Sequence, residues 1–229
     1  MGEKKKKEEW VKLVSKMFIV GACILFVGLM ILSGMGNSWI TMFNSVKSGD
    51  TVVIDFTVYD AAGIPLITTE QTTYNQAVEK GQDIFAAKQF SITANQTMAK
   101  SVYGIPVYSS TGAGVQQLGI FSSEYNAISS EIIGMKVNEQ KRIALPPDVS
   151  LINELSVEQL AISKVNLTDI SIGDNFYMGV SDNSEKVTNT TKATTFLRIG
   201  EVTKKSSEGV VIDLNYPVVN VRIVSINKQ

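Results

Sequence analysis

Chemistry in this chain has to be built without imidazole: the sequence contains no histidine, and its one cysteine is Cys23. Serine or cysteine nucleophiles activated by an imidazole base are therefore excluded, and so are the usual His/Cys zinc sites. Gly112-Ala113-Gly114 lacks the later Gly-Lys-Ser/Thr of a phosphate loop and follows no clear strand, so it reads as a turn. Val20-Gly21-Ala22-Cys23 has the outline of a lipid-attachment box, but most of its apolar run follows Cys23, which reads as a small residue inside an apolar helix. Asn95, Asn166 and Asn189 each begin an Asn-X-Thr triplet and are candidate glycosylation acceptors, in a composition where such triplets arise easily by chance. A formal net charge of −1 gives no basic footprint for nucleic acid. The lack of imidazole removes most hydrolase chemistry and leaves open a site built as a concave surface.

Such a surface needs a rigid corner, and Glu131 to Asp148 supplies one. Glu131, Ile132 and Ile133 close a helical segment, and Gly134 stands where a left-handed residue ends it. Lys136 to Glu139 reads as a polar turn. Gln140 to Leu145 is a short strand with Ile143 and Leu145 on one face, and Pro146-Pro147 cannot continue a sheet ladder.

Upstream, residues 1–16 form a basic tail with six lysines against three glutamates, and Met17 to Met35 carries no charge. A run of that length spans roughly 28 Å as a helix, close to the ~30 Å hydrocarbon core, so residues 17–36 are expected to be a transmembrane helix. The lysine excess places the N-terminus in the cytoplasm and the rest of the chain outside it, in a single-pass topology at the cell membrane. Signal-peptide cleavage near Gly34-Met35-Gly36 is the alternative, although the run is long for an h-region.

Thr51 to Tyr59 alternates, with Val52, Ile54, Phe56 and Val58 facing one way. Asp60 to Gly63 is the turn, and Ile64 to Thr69 returns to complete a hairpin. Residues 70–118 hold no single period and are expected to fold back onto the hairpin with local strands or a helix of their own. Ser122-Ser123 offers an N-cap for a helix whose Tyr125, Ile128 and Ile132 share a face, and Ser156 with Gln159 has capping-box spacing for a second. Phe176 to Val180, Thr194 to Ile199, Val210 to Leu214 and Val218 to Ile226 read as strands.

Taken together, Gly49 to Thr57, the turn at Gly63, the Gly134-Met135-Lys136-Val137 corner and the Pro146-Pro147-Asp148 stop resemble FKBP-type peptidyl-prolyl isomerases. Val211 to Pro217 is similar to the return strand of the SlyD-like, archaeal-type branch. The resemblance implies an α+β fold, an antiparallel half-barrel over a helix (47–148 plus 211–229) with an inserted small β-rich domain at 149–210. It also implies a membrane-anchored prolyl isomerase or foldase for extracytoplasmic proteins, acting without a cofactor or metal on proline-containing or unfolded polypeptides. The uncatalysed barrier of about 20 kcal/mol belongs to a twisted amide that a dry, shaped pocket can favour over the planar one.

Carried over residue by residue, the resemblance assigns the proline pocket to Phe56, Leu66, Ile67, Tyr125, Ile128 and Leu151. Phe56 stands where the family has a first-strand Tyr, Leu66-Ile67 where it has Phe-Asp, and Ser150-Leu151-Ile152 where it has Ala-Tyr-Gly. Most of the aromatic lining is replaced by aliphatic side chains. Two further readings stay open: a catalytically silent FKBP-like chaperone or structural subunit of a membrane protein complex, and an anchored β-rich domain of unrelated function.

Overall fold

A computed structural model describes residues 16–30, 44–109, 114–181 and 194–227 of the protein, which divides into two units, Met1–Asn44 and Ser45–Gln229. In the first unit the described helical residues are 16–30. Among the described residues no helix is long and apolar enough to cross a membrane. The transmembrane helix expected at 17–36 is corrected accordingly, both as a component of the fold and as the basis for an extracytoplasmic domain on a single-pass anchor. Residues 1–15 of the basic tail and 31–36 of the expected span lie outside the described residues.

The second unit is strand-rich, with a curled half-barrel sheet. β1 (Thr51–Tyr59) and β2 (Pro65–Thr68) form the hairpin that the alternation predicts, with Gly63 at φ +80° in the turn, where a side chain would be strained. Next come α1 (Gln71–Glu79), β3 (Phe85–Ala87), β4 (Phe90–Thr93), β5 (Val102–Ser109) and β6 (Val115–Phe121). They fold back as expected of 70–118: β3 runs parallel to β2, β4 pairs with β1, and β5 joins β3 to β6. Then follow α2 (Ser122–Glu131), β7 (Gln140–Ala144), β8 (Ile152–Ser156), α3 (Val157–Ile162), β9 (Asn175–Ser181), β10 (Thr195–Lys205), β11 (Gly209–Asp213) and β12 (Val218–Asn227).

The sheet order is β7-β12-β1-β2-β3-β5-β6-β10-β11-β8, with β4 on β1 and β9 on β10. β1 is its pivot. Along its length it pairs antiparallel with β12, from Thr51 opposite Asn227 to Tyr59 opposite Val218. Its other edge is shared by β4 at Thr51–Ile54 and β2 at Thr57–Tyr59. α2 starts one residue earlier than Ser122-Ser123 suggests: its N-cap is Phe121, whose amide donates to the Glu124 carboxylate at 3.0 Å. α3 is capped by Ser156 and Gln159 as their spacing predicts.

Two apolar clusters form inside this unit. The larger joins β1, β2, β4, β6, α2, β7 and β12 through side chains such as Ile54, Phe56, Ile128, Ile143 and Val221, all buried. The smaller gathers Leu151, Leu160, Ile170, Val202, Val210, Ile212 and Leu214 from the segment after Pro147. β10 serves both, giving Leu197 and Ile199 to the first and Val202 to the second.

At the junction of the two lies Arg198, fully buried. Its Nε donates to the Leu214 carbonyl and its Nη1 to the Gly119 carbonyl, each at 2.8 Å, while Nη1 and Nη2 grip both oxygens of buried Glu124. Its plane stacks on Tyr216, 3.6 Å from the ring centroid, and the Tyr216 hydroxyl accepts from the Ile199 amide at 3.2 Å. A charge without water is tolerated only when paired and hydrogen-bonded in this way. Truncating Arg198→Met strands the Glu124 carboxylate and should cost about 3–5 kcal/mol in urea unfolding, whereas adding Glu124→Leu to the same chain should recover much of that loss.

Candidate functional site

The concave side of the β1 region, where the resemblance puts a proline pocket, is occupied by the protein's own side chains. Phe56 and Ile128 do meet there, together with Phe90 of β4, Leu118 and Ile120 of β6, and Tyr216. The space left between them is about 10 Å³. A single water needs roughly that much, so a prolyl ring has no room. Phe90 packs edge-on to Phe56 with centroids 5.4 Å apart, and Tyr103 and then Tyr125 continue the aromatic row outward at 6.3 and 6.4 Å.

The other candidates are dispersed. Ile67 is buried in the β1–β2 hairpin opposite Val58 and beside Phe85. Tyr125 is half-buried, its hydroxyl accepting from the Thr93 amide at 3.3 Å. Leu151 belongs to the smaller core cluster. Of the Asn-X-Thr acceptors, Asn95 is exposed with its side-chain amide donating to Ser48, and exposed Asn166 donates to Asp169. Asn189 lies outside the described residues.

Leu66 leads to the more open site. It contributes to the floor of a groove of about 360 Å³ between the β1–β2 turn, the Pro147 stop, β10 and the 213–217 return. That volume falls within the range of small-ligand sites. The floor is apolar: Leu66, Leu145, Ile199 and Tyr216 are all buried, with Pro147 and Pro217 at the margins. The polar side is acidic, formed by Asp60, Glu201 and Asp213. Gly200 lets β10 and β11 approach this closely, since a Cβ there would sit 2.6 Å from both Ile212 and Leu214 side-chain carbons.

Two of these carboxylates are forced together by the sheet. Glu201 stands directly opposite Asp213 in the β10–β11 ladder, and directly opposed like charges destabilise a strand pair. Burial, reinforced by Asp60 and Asp213, holds the Glu201 carboxyl above the ordinary range of a glutamate. Asp60 and Asp213 also serve the backbone, accepting from the Ile64 amide at 2.7 Å and the Asn215 amide at 2.9 Å.

Away from the groove, Tyr177 of β9 donates to Asp83 at 2.9 Å and packs edge-on to Phe85. Burial first, and then the Asp83 carboxylate, push the Tyr177 hydroxyl up to about 12.

Among site residues, Glu201, Asp213 and Asn215 escape sequence reasoning, as does Arg198 behind them. The one local signal is a charged residue repeatedly interrupting an apolar strand in Phe196-Leu197-Arg198-Ile199-Gly200-Glu201-Val202. No protein-family model matches the chain, and neither does any curated protein.

Because the folded state raises the Glu201 pKa, its ionised form opposes folding, and stability from this group falls as pH rises through and above the usual carboxylate range. Glu201→Gln should therefore raise the melting temperature at pH 7, and the gain should disappear as the pH is lowered below the ordinary range of a glutamate carboxyl.

Proposed function

We propose that the Ser45–Gln229 unit is an FKBP-like polypeptide-binding module that holds unfolded or proline-containing chains without accelerating prolyl isomerisation. The resemblance is supported by how its pieces assemble. Thr51–Thr57 of the resembling segment lie in β1, the last strand β12 pairs with it, and β7, which ends at Ala144 just before the Pro-Pro stop, pairs with β12. The observation that carries the silent reading is the filled concave face, with its 10 Å³ of residual space between Phe56, Phe90, Ile128 and Tyr216. Twisting a prolyl amide requires a shaped pocket that fits the ring, and every side chain that would have to move is part of the buried core.

Capacity to hold a chain is favoured by apolar side chains left open on the segment after Pro147, where Val149 is 85%, Ile162 83% and Ile172 64% exposed. With the full chain, a proline-peptide isomerisation assay should give the solvent rate, while aggregation of a thermally unfolded client should be suppressed. Acceleration of the peptide would make the protein an isomerase and foldase instead, and failure to suppress aggregation would remove the holding function.

A further inference from the structure

We propose that the groove between the β1–β2 turn, β10 and the 213–217 return binds a lysine or arginine side chain of a polypeptide, with the apolar neighbour of that residue seated on Leu66, Leu145 and Tyr216. This rests on the polypeptide-binding reading and names both the site and the kind of segment it takes.

Three observations carry it. The groove is large enough for side chains, about 360 Å³, whereas the concave face is not. Among the described residues its lining holds three carboxylates and no lysine or arginine, so its charge is uncompensated from within. The opposition of Glu201 and Asp213 is also costly in the free protein, and among the described residues the Glu201 side chain has no hydrogen bond or ion pair to offset it, unlike Asp60 and Asp213, which cap turns. A cation placed between them turns that repulsion into attraction in a partly dry setting, where charge-assisted hydrogen bonds are strongest.

The occupant is an organic cation rather than a metal ion, because no group of carboxylates among the described residues is arranged to hold one. Apolar floor beside acidic wall matches an alkylammonium or guanidinium head with its aliphatic stem, which buries carbon while presenting charge. A second polypeptide residue is needed to cover the floor that the stem leaves open.

The test is fluorescence anisotropy of the full chain with a labelled, unstructured peptide carrying one arginine between leucine and proline, and with its twin carrying glutamate in place of the arginine. The arginine peptide should bind, weakening as salt is raised, and Glu201→Gln should weaken it by at least about 10-fold, since a charged hydrogen bond is worth ~1.5–3 kcal/mol. Glu154→Gln, on the edge strand β8, should leave binding unchanged. Equal binding of the two peptides, or an unchanged affinity in a Glu201→Gln chain that still melts cooperatively, overturns the proposal. If the chain suppresses aggregation of an unfolded client yet the arginine peptide neither binds nor competes, the groove assignment falls while the holding function stands. If the peptide binds as described but no client is held, the groove stands and the holding function falls.

Discussion

The guanidinium of Arg198 is the constraint to which the rest of the Ser45–Gln229 unit conforms. Its donors reach the Gly119 carbonyl at the end of β6, the Leu214 carbonyl in the return segment and both oxygens of Glu124 on α2. Leaving any of these unmade would strand a buried polar group at a cost of about 1–3 kcal/mol or more. β6, α2, β10 and the return therefore have only one mutual arrangement that satisfies the charge. Glu124 has a second duty, accepting from the Phe121 amide, so the same carboxylate that neutralises Arg198 also fixes where α2 begins.

That arrangement decides which side of the molecule is closed and which is open. With α2 and β6 locked, Leu118, Ile120, Ile128 and Phe90 fill the concavity over Phe56. Tyr216, stacked on Arg198 and bonded to the Ile199 amide, closes one end of that space and at the same time forms floor for the groove on its other side. Burial pushes the Tyr216 hydroxyl above its ordinary pKa, so it stays a neutral wall at any physiological pH. Groove and filled face are thus two consequences of one packing solution. The acidic rim is the part that folding alone does not explain, because a cross-strand Glu201–Asp213 pair weakens the ladder it sits in.

Much of the local structure was legible in the sequence because its signals are local. Alternation from Val52 to Val58 gives β1, Gly134 at φ +83° ends the α2 region, and Ser156 with Gln159 starts α3. The apolar stretch from Met17 reads as a span because hydropathy reports what a helix would bury, whereas among the described residues no helix is long and apolar enough to cross a membrane. The site was legible only in part. Phe56 and Ile128 do share a cavity, but Phe90 and Leu118, which help fill it, come from the 70–118 stretch with no period of its own. Arg198 and Gly119 are 79 residues apart, and Asp60 and Glu201 meet only because β10 is inserted beside β6. Pairings of that range depend on which strands become neighbours, and no local pattern encodes them.

The most direct measurement is a methyl NMR spectrum of the full chain during titration with an unfolded, arginine-bearing polypeptide. Shifts concentrated on Leu66, Leu145 and Ile199, with Leu118, Ile120, Ile128 and Val219 unchanged, are the expected result. Shifts centred on Ile128, Ile120 and Val219 while Leu66 and Ile199 stay still would show that the concave face opens to the ligand, and would contradict a closed face with its binding groove alongside.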